Sequence, residues 1–220
     1  MLVAILLAAG ASTRAGEDKV FADLGGKPLL RWSADRLAAE PRVGRLVVVS
    51  RPGAKEATVG EGLRGLAKPC SIVEGGARRA DSVRAGLRAS TDADAVLVHD
   101  AARPFVDPET ITRVLDGLER HGAAAAGLPV ADTLRQGDEW AGETIDREGL
   151  WAMQTPQAFT RAGLARAYAR AEAPTDCAAA AVVAGVKVRL VRGGPLNFKV
   201  TTAEDLAVAR LLVERGVVRP

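Results

Sequence analysis

Between Leu7 and Lys19 the chain reads Leu-Ala-Ala-Gly-Ala-Ser-Thr-Arg-Ala-Gly-Glu-Asp-Lys, a run of small residues carrying two cations, Arg14 and Lys19. Where side chains are small, the loop's backbone N–H groups can approach a phosphate closely and act together as an anion nest. Arg14 and Lys19 add full charges to that nest. A triphosphate attacked at its α-phosphorus needs this combination, because charge builds on the equatorial oxygens and on the departing pyrophosphate. The competing reading is a tightly packed turn with two solvated cations. The loop matches neither G-x-G-x-x-G nor G-x-x-x-x-G-K-[ST], so it is neither the dinucleotide fingerprint nor a P-loop.

Three further segments carry candidate chemistry. Val96-Leu-Val-His-Asp100-Ala101-Ala-Arg103-Pro104 places an acidic residue just past an apolar run, over the crevice where open α/β sheets bind ligands. Asp100 is therefore a candidate to support a Mg²⁺ that bridges nucleotide phosphates, which takes only one or two carboxylates from the protein. The plainer alternative is that it caps the following turn. Gly75-Gly76-Ala-Arg-Arg-Ala-Asp-Ser82 lets a flat base approach the backbone. Ser82 either bonds that base or caps a helix over 83–89. Asn197-Phe-Lys199-Val-Thr201 supplies a second cation, in a chain where 24 of 30 basic residues are Arg and lysine is scarce.

The elements that position these groups alternate apolar runs with amphipathic stretches, the pattern of a mostly parallel α/β sheet. The runs fall at 2–7, 46–49, 71–73, 95–98, 123–128 and 186–191 and lack polar alternation, so they read as strands buried on both faces. Asp107-Pro108 opens a helix that ends at Gly122, Lys27-Pro28 opens another, and Thr202 with Asp205 forms a capping box before a last one. Residues 131–149 break the rhythm. They read as two short extended pieces, 132–136 and 143–146, around a polar tip: a projecting hairpin arm.

Bulk properties narrow the class. At 220 residues the chain suits a single domain with a substantial core, and 48% hydrophobic with 26% charged residues is ordinary for a globular protein. The apolar start MLVAILLAAG lacks a basic flank and reads as a first strand rather than a signal segment, which places the protein in the cytoplasm. No apolar run is long enough to span a membrane. Cys70 and Cys177 are far apart and read as reduced thiols; His99 and His121 are too isolated for a zinc site. Three Trp, one Tyr and four Phe, with scattered rather than clustered basic residues, argue against nucleic acid as a partner.

Five blocks, L-A-A-G-x-S-T-R-x-G-x-x-K, G-G-x-x-R-x-D-S-V, V-H-D-A-A-R-P, D-R-x-G-L-W-x-x-Q-T-P-Q and N-x-K-V-T, stand here in one order. By them the chain resembles the 2-C-methyl-D-erythritol 4-phosphate cytidylyltransferase family of the non-mevalonate isoprenoid route, from Leu2 to about Ala209. The resemblance implies a three-layer Rossmann-like fold of the nucleotide-diphospho-sugar transferase type and a homodimer with exchanged arms. It implies Mg²⁺, with Mn²⁺ as a substitute, and the substrates CTP and a small polyol phosphate. It implies that Arg14 and Lys19 stabilise the transition state, with Arg147 and Lys199 among the catalytic residues. Ala8, Ala9, Gly10, Gly76, Ser82, Asp100 and Ala101 would hold the nucleotide. Asp100, Arg103, Thr133, Arg147, Thr155 and Lys199 would hold the acceptor. Two positions depart from the family's pattern: Ala77-Arg78 where an acidic residue is usual, and Cys177 after Thr175-Asp176.

Three rivals stay open on the sequence. Ribitol-5-phosphate cytidylyltransferases share the loop. A sugar transferase would place a D-x-D motif at a strand end, whereas Asp92-Ala-Asp94 precedes its strand. A nucleotide-binding regulator would share the cradle without needing the second cation set.

Overall fold

The apolar runs do become strands, and their two faces explain why they lack polar alternation. In β1 (Leu2–Ala8), Ala4, Leu6 and Ala8 pack into one buried cluster while Val3, Ile5 and Leu7 pack into another. A strand with a helical layer on each side must be apolar at every position. The computed structural model describes residues 1–10, 19–53, 60, 62–170 and 174–219.

The other strands are β2 (Val43–Ser50), β3 (Cys70–Glu74), β4 (Ala95–Asp100) and β5 (Ala123–Pro129). The chain continues with β6 (Leu134–Gly137), β7 (Ala141–Ile145), β8 (Trp151–Thr160) and β9 (Arg189–Arg192). Seven of them form one sheet in the order β3-β2-β1-β4-β8-β5-β9. Every pairing is parallel except those of β8, which runs antiparallel to both β4 and β5. The sheet is thus the mostly parallel α/β sheet that the sequence predicts.

On one face lie α1 (Leu29–Ala39) and α3 (Pro108–His121), through Leu30, Ala34, Leu37, Ile111, Val114 and Leu115. On the other lie α2 (Arg79–Arg88), α4 (Arg161–Arg170) and α5 (Cys177–Val183), through Val83, Leu87, Leu164 and Ala180. A third cluster of Leu24, Leu29, Trp32, Phe105, Val200 and Ala209 seats α6 (Ala203–Glu214) beside α1. The expected caps are present. Asp107 accepts from the Thr110 amide at the start of α3, and Gly122 ends that helix at φ 77°, where a Cβ would be strained. Thr202 and Asp205 form the reciprocal capping box of α6. No helix among the described residues is long and apolar enough to cross a membrane.

Several boundaries differ from the sequence-based expectation. β8 had no counterpart in it, because Pro156 and the polar Gln154, Thr155 and Gln157 disguise a strand whose ends alone look strand-like. In the structure the β5–β8 register breaks between Ala125 and Gly127, so Pro156 falls where no β5 partner is required of its missing N–H. α2 begins at Arg79 rather than at 83, which puts Ser82 inside the helix and overturns its reading as a cap. β9 begins at Arg189, three residues later than expected, and β3 and β9 carry exposed residues because they are the sheet's edges. The arm is a hairpin of β6 and β7, paired Leu134 to Ile145, with Trp140 at its tip 82% exposed.

Candidate active site

Parallel strands deliver their carboxyl ends to one edge of a sheet, and the antiparallel β8 brings its early residues to the same edge. Asp100 is the last residue of β4 and is buried. Its Oδ1 accepts from Arg79 Nη2 at 3.0 Å and Nε at 3.3 Å, and its Oδ2 from Lys199 Nζ at 3.0 Å. Burial alone would raise the carboxyl pKa, but Arg79 and Lys199, with Arg103 nearby, hold it well below the usual carboxylate range. The carboxylate is therefore charged at neutral pH and shared between two cations from different elements, α2 and the segment before α6.

Arg103 follows β4. Its Nη1 donates to the Asn197 carbonyl at 2.7 Å and its Nη2 to that of Met153 at 3.5 Å, while its buried Nε finds no partner among the described residues. Burial lowers its pKa, opposed by Asp100. Asn197, fully buried, donates from Nδ2 to Gln154 Oε1 (3.1 Å) and to the Thr155 carbonyl (2.8 Å). The Val200 amide donates to the Ala102 carbonyl at 2.8 Å. These bonds tie three sequence-distant segments, 100–103, 153–155 and 197–200, into one rigid edge.

Lys19 opens a 3₁₀ turn (Lys19–Phe21); its side chain is buried and its Nζ donates to the Thr201 carbonyl, two residues past Lys199. Across the edge, Ser82 Oγ accepts from the Gly76 amide at 3.3 Å and donates to the Arg78 carbonyl. A Cβ on Gly75 would stand 2.5 Å from Ser82 Oγ and 3.0 Å from the Ala9 Cβ, so glycine is what lets the β1 and β3 loops close on one another. Ala101 is buried, its amide held by the Leu7 carbonyl at 2.9 Å. Ala8 ends β1, with Ala9 half-buried and Gly10 exposed beside it.

Lys19, Asp100, Arg103, Thr155 and Lys199 are thus linked through one network, with Ala9, Gly76 and Ser82 gathered across the same edge. Arg14 lies outside the described residues. Thr133 and Arg147 are elsewhere: both are exposed on the arm, where Arg147 donates to the Ala131 carbonyl. Arg79, His99, Gln154 and Asn197 carry no role on the sequence alone. Arg79 was readable in principle, as an arginine opening a helix whose preceding Gly-Gly points it at the crevice. The other three look like core polar residues until their partners are known. Of the two departures, Ala77 and Arg78 are exposed, and Arg78 pairs with Asp81 at 3.0 Å. Cys177 is buried beneath Arg79, 3.8 Å from its Nη1 and 3.3 Å from the Tyr168 hydroxyl, and burial pushes its thiol pKa up.

His99 is wholly buried, and burial pushes its pKa down to about 4. An unfolded chain would take up that proton near pH 6.5, so the folded protein refuses a proton the unfolded one accepts. Stability should therefore fall as pH drops from about 6.5 to about 4, with a slope approaching about 1.4 kcal/mol per pH unit. Urea midpoints measured across that window should lose this slope in His99→Gln; an unchanged slope would assign it to another group.

The sequence model of the family described as 2-C-methyl-D-erythritol 4-phosphate cytidylyltransferase (IspD) matches residues 2–215. The bifunctional enzyme IspD/IspF of Anaeromyxobacter dehalogenans is 47% identical over 225 residues, covering 98% of this chain and 58% of that protein. The chain thus spans little more than half the length of such bifunctional relatives. The 2-C-methyl-D-erythritol 4-phosphate cytidylyltransferase of Deinococcus radiodurans is 46% identical, covering 95% of this chain and 88% of its own. The crystal structure of the enzyme of that name from Thermus thermophilus superposes with a TM-score of 0.81 at 38% identity, covering 97% of this chain and all of that one.

Proposed function

The chain belongs to the 2-C-methyl-D-erythritol 4-phosphate cytidylyltransferase family, and from that premise we propose that it joins CTP to 2-C-methyl-D-erythritol 4-phosphate and releases pyrophosphate. The observation that carries the reading is the Asp100 cluster. Arg79 and Lys199 pair with Asp100, while Arg103 and Lys19 rest on the backbone carbonyls of Asn197 and Thr201 at the same sheet edge, more positive charge than that one carboxylate balances. A site with surplus cation, from the buried Lys19 to the exposed Lys199, is suited to two phosphorylated substrates. The relatives' names favour methylerythritol phosphate over ribitol 5-phosphate as the acceptor.

In the proposed reaction a phosphate oxygen of the acceptor attacks the α-phosphorus of CTP in line. An O–P bond forms as the bond to the β-phosphate oxygen breaks, and pyrophosphate leaves with that electron pair. The attacking phosphate monoester is already ionised near neutral pH, so no general base is required. The protein's contribution is positioning and charge neutralisation. Arg14 and Lys19 serve the triphosphate, Ala8, Ala9, Gly10, Gly76, Ser82 and Ala101 the nucleoside, and Arg103, Thr155 and Lys199 the acceptor. Thr133 and Arg147 complete the acceptor site from the arm of a second subunit.

Among the described residues no cluster of three or more His, Cys, Asp or Glu could cage a metal. One buried carboxylate does fit a Mg²⁺ carried mainly by the triphosphate, which would neutralise its oxygens. Turnover should then stop in excess EDTA and return with Mg²⁺ or Mn²⁺, and Asp100→Asn should require more Mg²⁺ for half-maximal rate. Full activity in EDTA would remove the metal from the mechanism.

A pyrophosphate-release assay crossing the four nucleoside triphosphates with methylerythritol phosphate and ribitol phosphate tests the whole reading. CTP with methylerythritol phosphate should dominate. UTP should fall behind by a wide margin, because a site that bonds the 4-amino edge of cytosine leaves groups unpaired with uracil. Equal rates with UTP, or preference for ribitol phosphate, would displace the proposal.

A further inference from the structure

His99 is fully buried at the site and has no place in the mechanism above. Its two ring nitrogens are both engaged: Nε2 lies 3.1 Å from the Arg103 carbonyl and Nδ1 lies 3.0 Å from Thr155 Oγ1. A carbonyl oxygen can only accept, so the ring proton must be on Nε2. In the neutral imidazole Nδ1 is then an acceptor, and the Thr155 hydroxyl must donate its one proton to it. That hydroxyl in turn accepts from the Asp100 amide at 3.1 Å. The proton directions along Asp100 N–H, Thr155 O–H and His99 Nε2–H are therefore fixed end to end, finishing on the peptide carbonyl of Arg103.

We infer that His99 is a positioning residue for the acceptor side of the site, a neutral Nε2–H imidazole that sets the backbone of Arg103 and, through Thr155, that of Asp100. The Arg103 guanidinium hangs from the backbone that His99 holds together with Ser33, and its hydrogen-bond partners among the described residues are backbone carbonyls. Losing the imidazole would leave the Arg103 carbonyl to Ser33 Oγ alone, at 3.1 Å, and release the Thr155 hydroxyl, loosening the Arg103 end of the turn and letting the guanidinium drift. Thr155 is constrained by the same chain of bonds. With its proton committed to His99 it has only a lone pair left for a substrate, so it can take a bond from an acceptor hydroxyl but cannot give one to a phosphate oxygen.

The inference rests on the reading that Arg103 grips the acceptor, and the test separates the two. Nitrogen-15 histidine spectra of the wild-type protein at neutral pH report the tautomer directly, and with only two histidines a His121→Gln sample identifies His99. The Nε2–H form is expected; an Nδ1–H form overturns the proposal whether or not the enzyme turns over. In kinetics, His99→Ala should lower kcat/KM for methylerythritol phosphate by roughly 10²-fold, the scale of a misplacement of about 1 Å. KM for CTP should move far less, because Ala101 keeps its own bonds to the Leu7 carbonyl and to Ser33 Oγ. His99→Gln, whose amide N–H can still reach the Arg103 carbonyl, should recover more of that loss than His99→Asn, which keeps only the Thr155 side. Wild-type kinetics in His99→Ala, or equal losses for the two substrates in the Gln and Asn variants, would overturn the proposal. The Gln and Asn comparison stands even if the alanine variant fails to fold. A wild-type enzyme inactive with methylerythritol phosphate would instead overturn the reading of the acceptor.

Discussion

Lys19→Ala should lower kcat by roughly 10²–10³-fold while shifting KM for CTP far less, the cost of removing one preorganised donor from developing charge. Lys19 begins a 3₁₀ turn that fixes its backbone, and its buried ammonium rests on the Thr201 carbonyl, with no ion pair to a carboxylate among the described residues and only a longer-range attraction to Glu204. A cation held by a neutral dipole keeps its charge for the ligand. One held in an ion pair must first give up its partner. Lys199 is in that second position, paired to Asp100, and the contrast makes Lys19 the residue whose charge is ready before the triphosphate arrives. Arg14→Ala should give a loss of the same order. Rapid-quench measurement of the chemical step, beside nucleotide binding by titration calorimetry, separates the two effects. Near-normal kcat in Lys19→Ala would put the cradle elsewhere.

The second large effect concerns the arm. Thr133 and Arg147 stand on a hairpin whose strand residues are almost all exposed, and it carries Trp140, Ile145 and Leu150 outward. Arg147 makes no hydrogen bond to the Asp100 cluster of its own chain among the described residues. If the arm completes the site of a neighbouring subunit, Arg14→Ala and Arg147→Ala chains are each inactive alone. Refolded together, they form mixed dimers with one intact site and one doubly defective site. Random exchange in a two-fold dimer makes half the dimers mixed, so activity should return to about a quarter of wild type. Zero recovery, with heterodimers confirmed by native mass spectrometry, would place both residues within one chain.

Much of the molecule was legible in the sequence for physical reasons that can be named. A strand packed on both faces must be apolar throughout, so β1, β2, β4 and β5 announced themselves. Asp107-Pro108, Gly122 and the Thr202–Asp205 pair announced helix ends because each satisfies backbone groups left free there. What failed was long-range. β8 is half polar because Gln154, Thr155 and Gln157 bond to Asn197, His99, Asp176 and Gly194, partners up to 56 residues away along the chain. Ser82 was misread for a local reason: Gly76 and Arg78 claim its hydroxyl, and a helix start three residues upstream of it cannot be seen in a run of Ala, Asp and Arg. Asp100 stood out as a charge just past an apolar run, and Lys19 and Lys199 as lysines in a chain whose basic residues are mostly arginine. Arg79 and Asn197 did not, since one is an arginine among many and the other is a core amide until its neighbours are in place.

The place of β8 between β4 and β5 bears on how the chain can change over time. β8 follows both strands in the sequence, so the centre of the sheet closes only after a loop holding the whole arm has been drawn shut. The entropic cost of closing a flexible loop rises slowly with its length, by roughly 0.6 kcal/mol for each doubling. The segment between Pro129 and Trp151 can therefore lengthen, shorten or exchange its tip with little penalty to the sheet. Selection on that segment comes from whatever the arm touches, while selection on β8 comes from the fold itself. Insertions at Gly137-Asp138 should be tolerated by the fold, whereas one residue added at Gln154 would swing Thr155 to the opposite face.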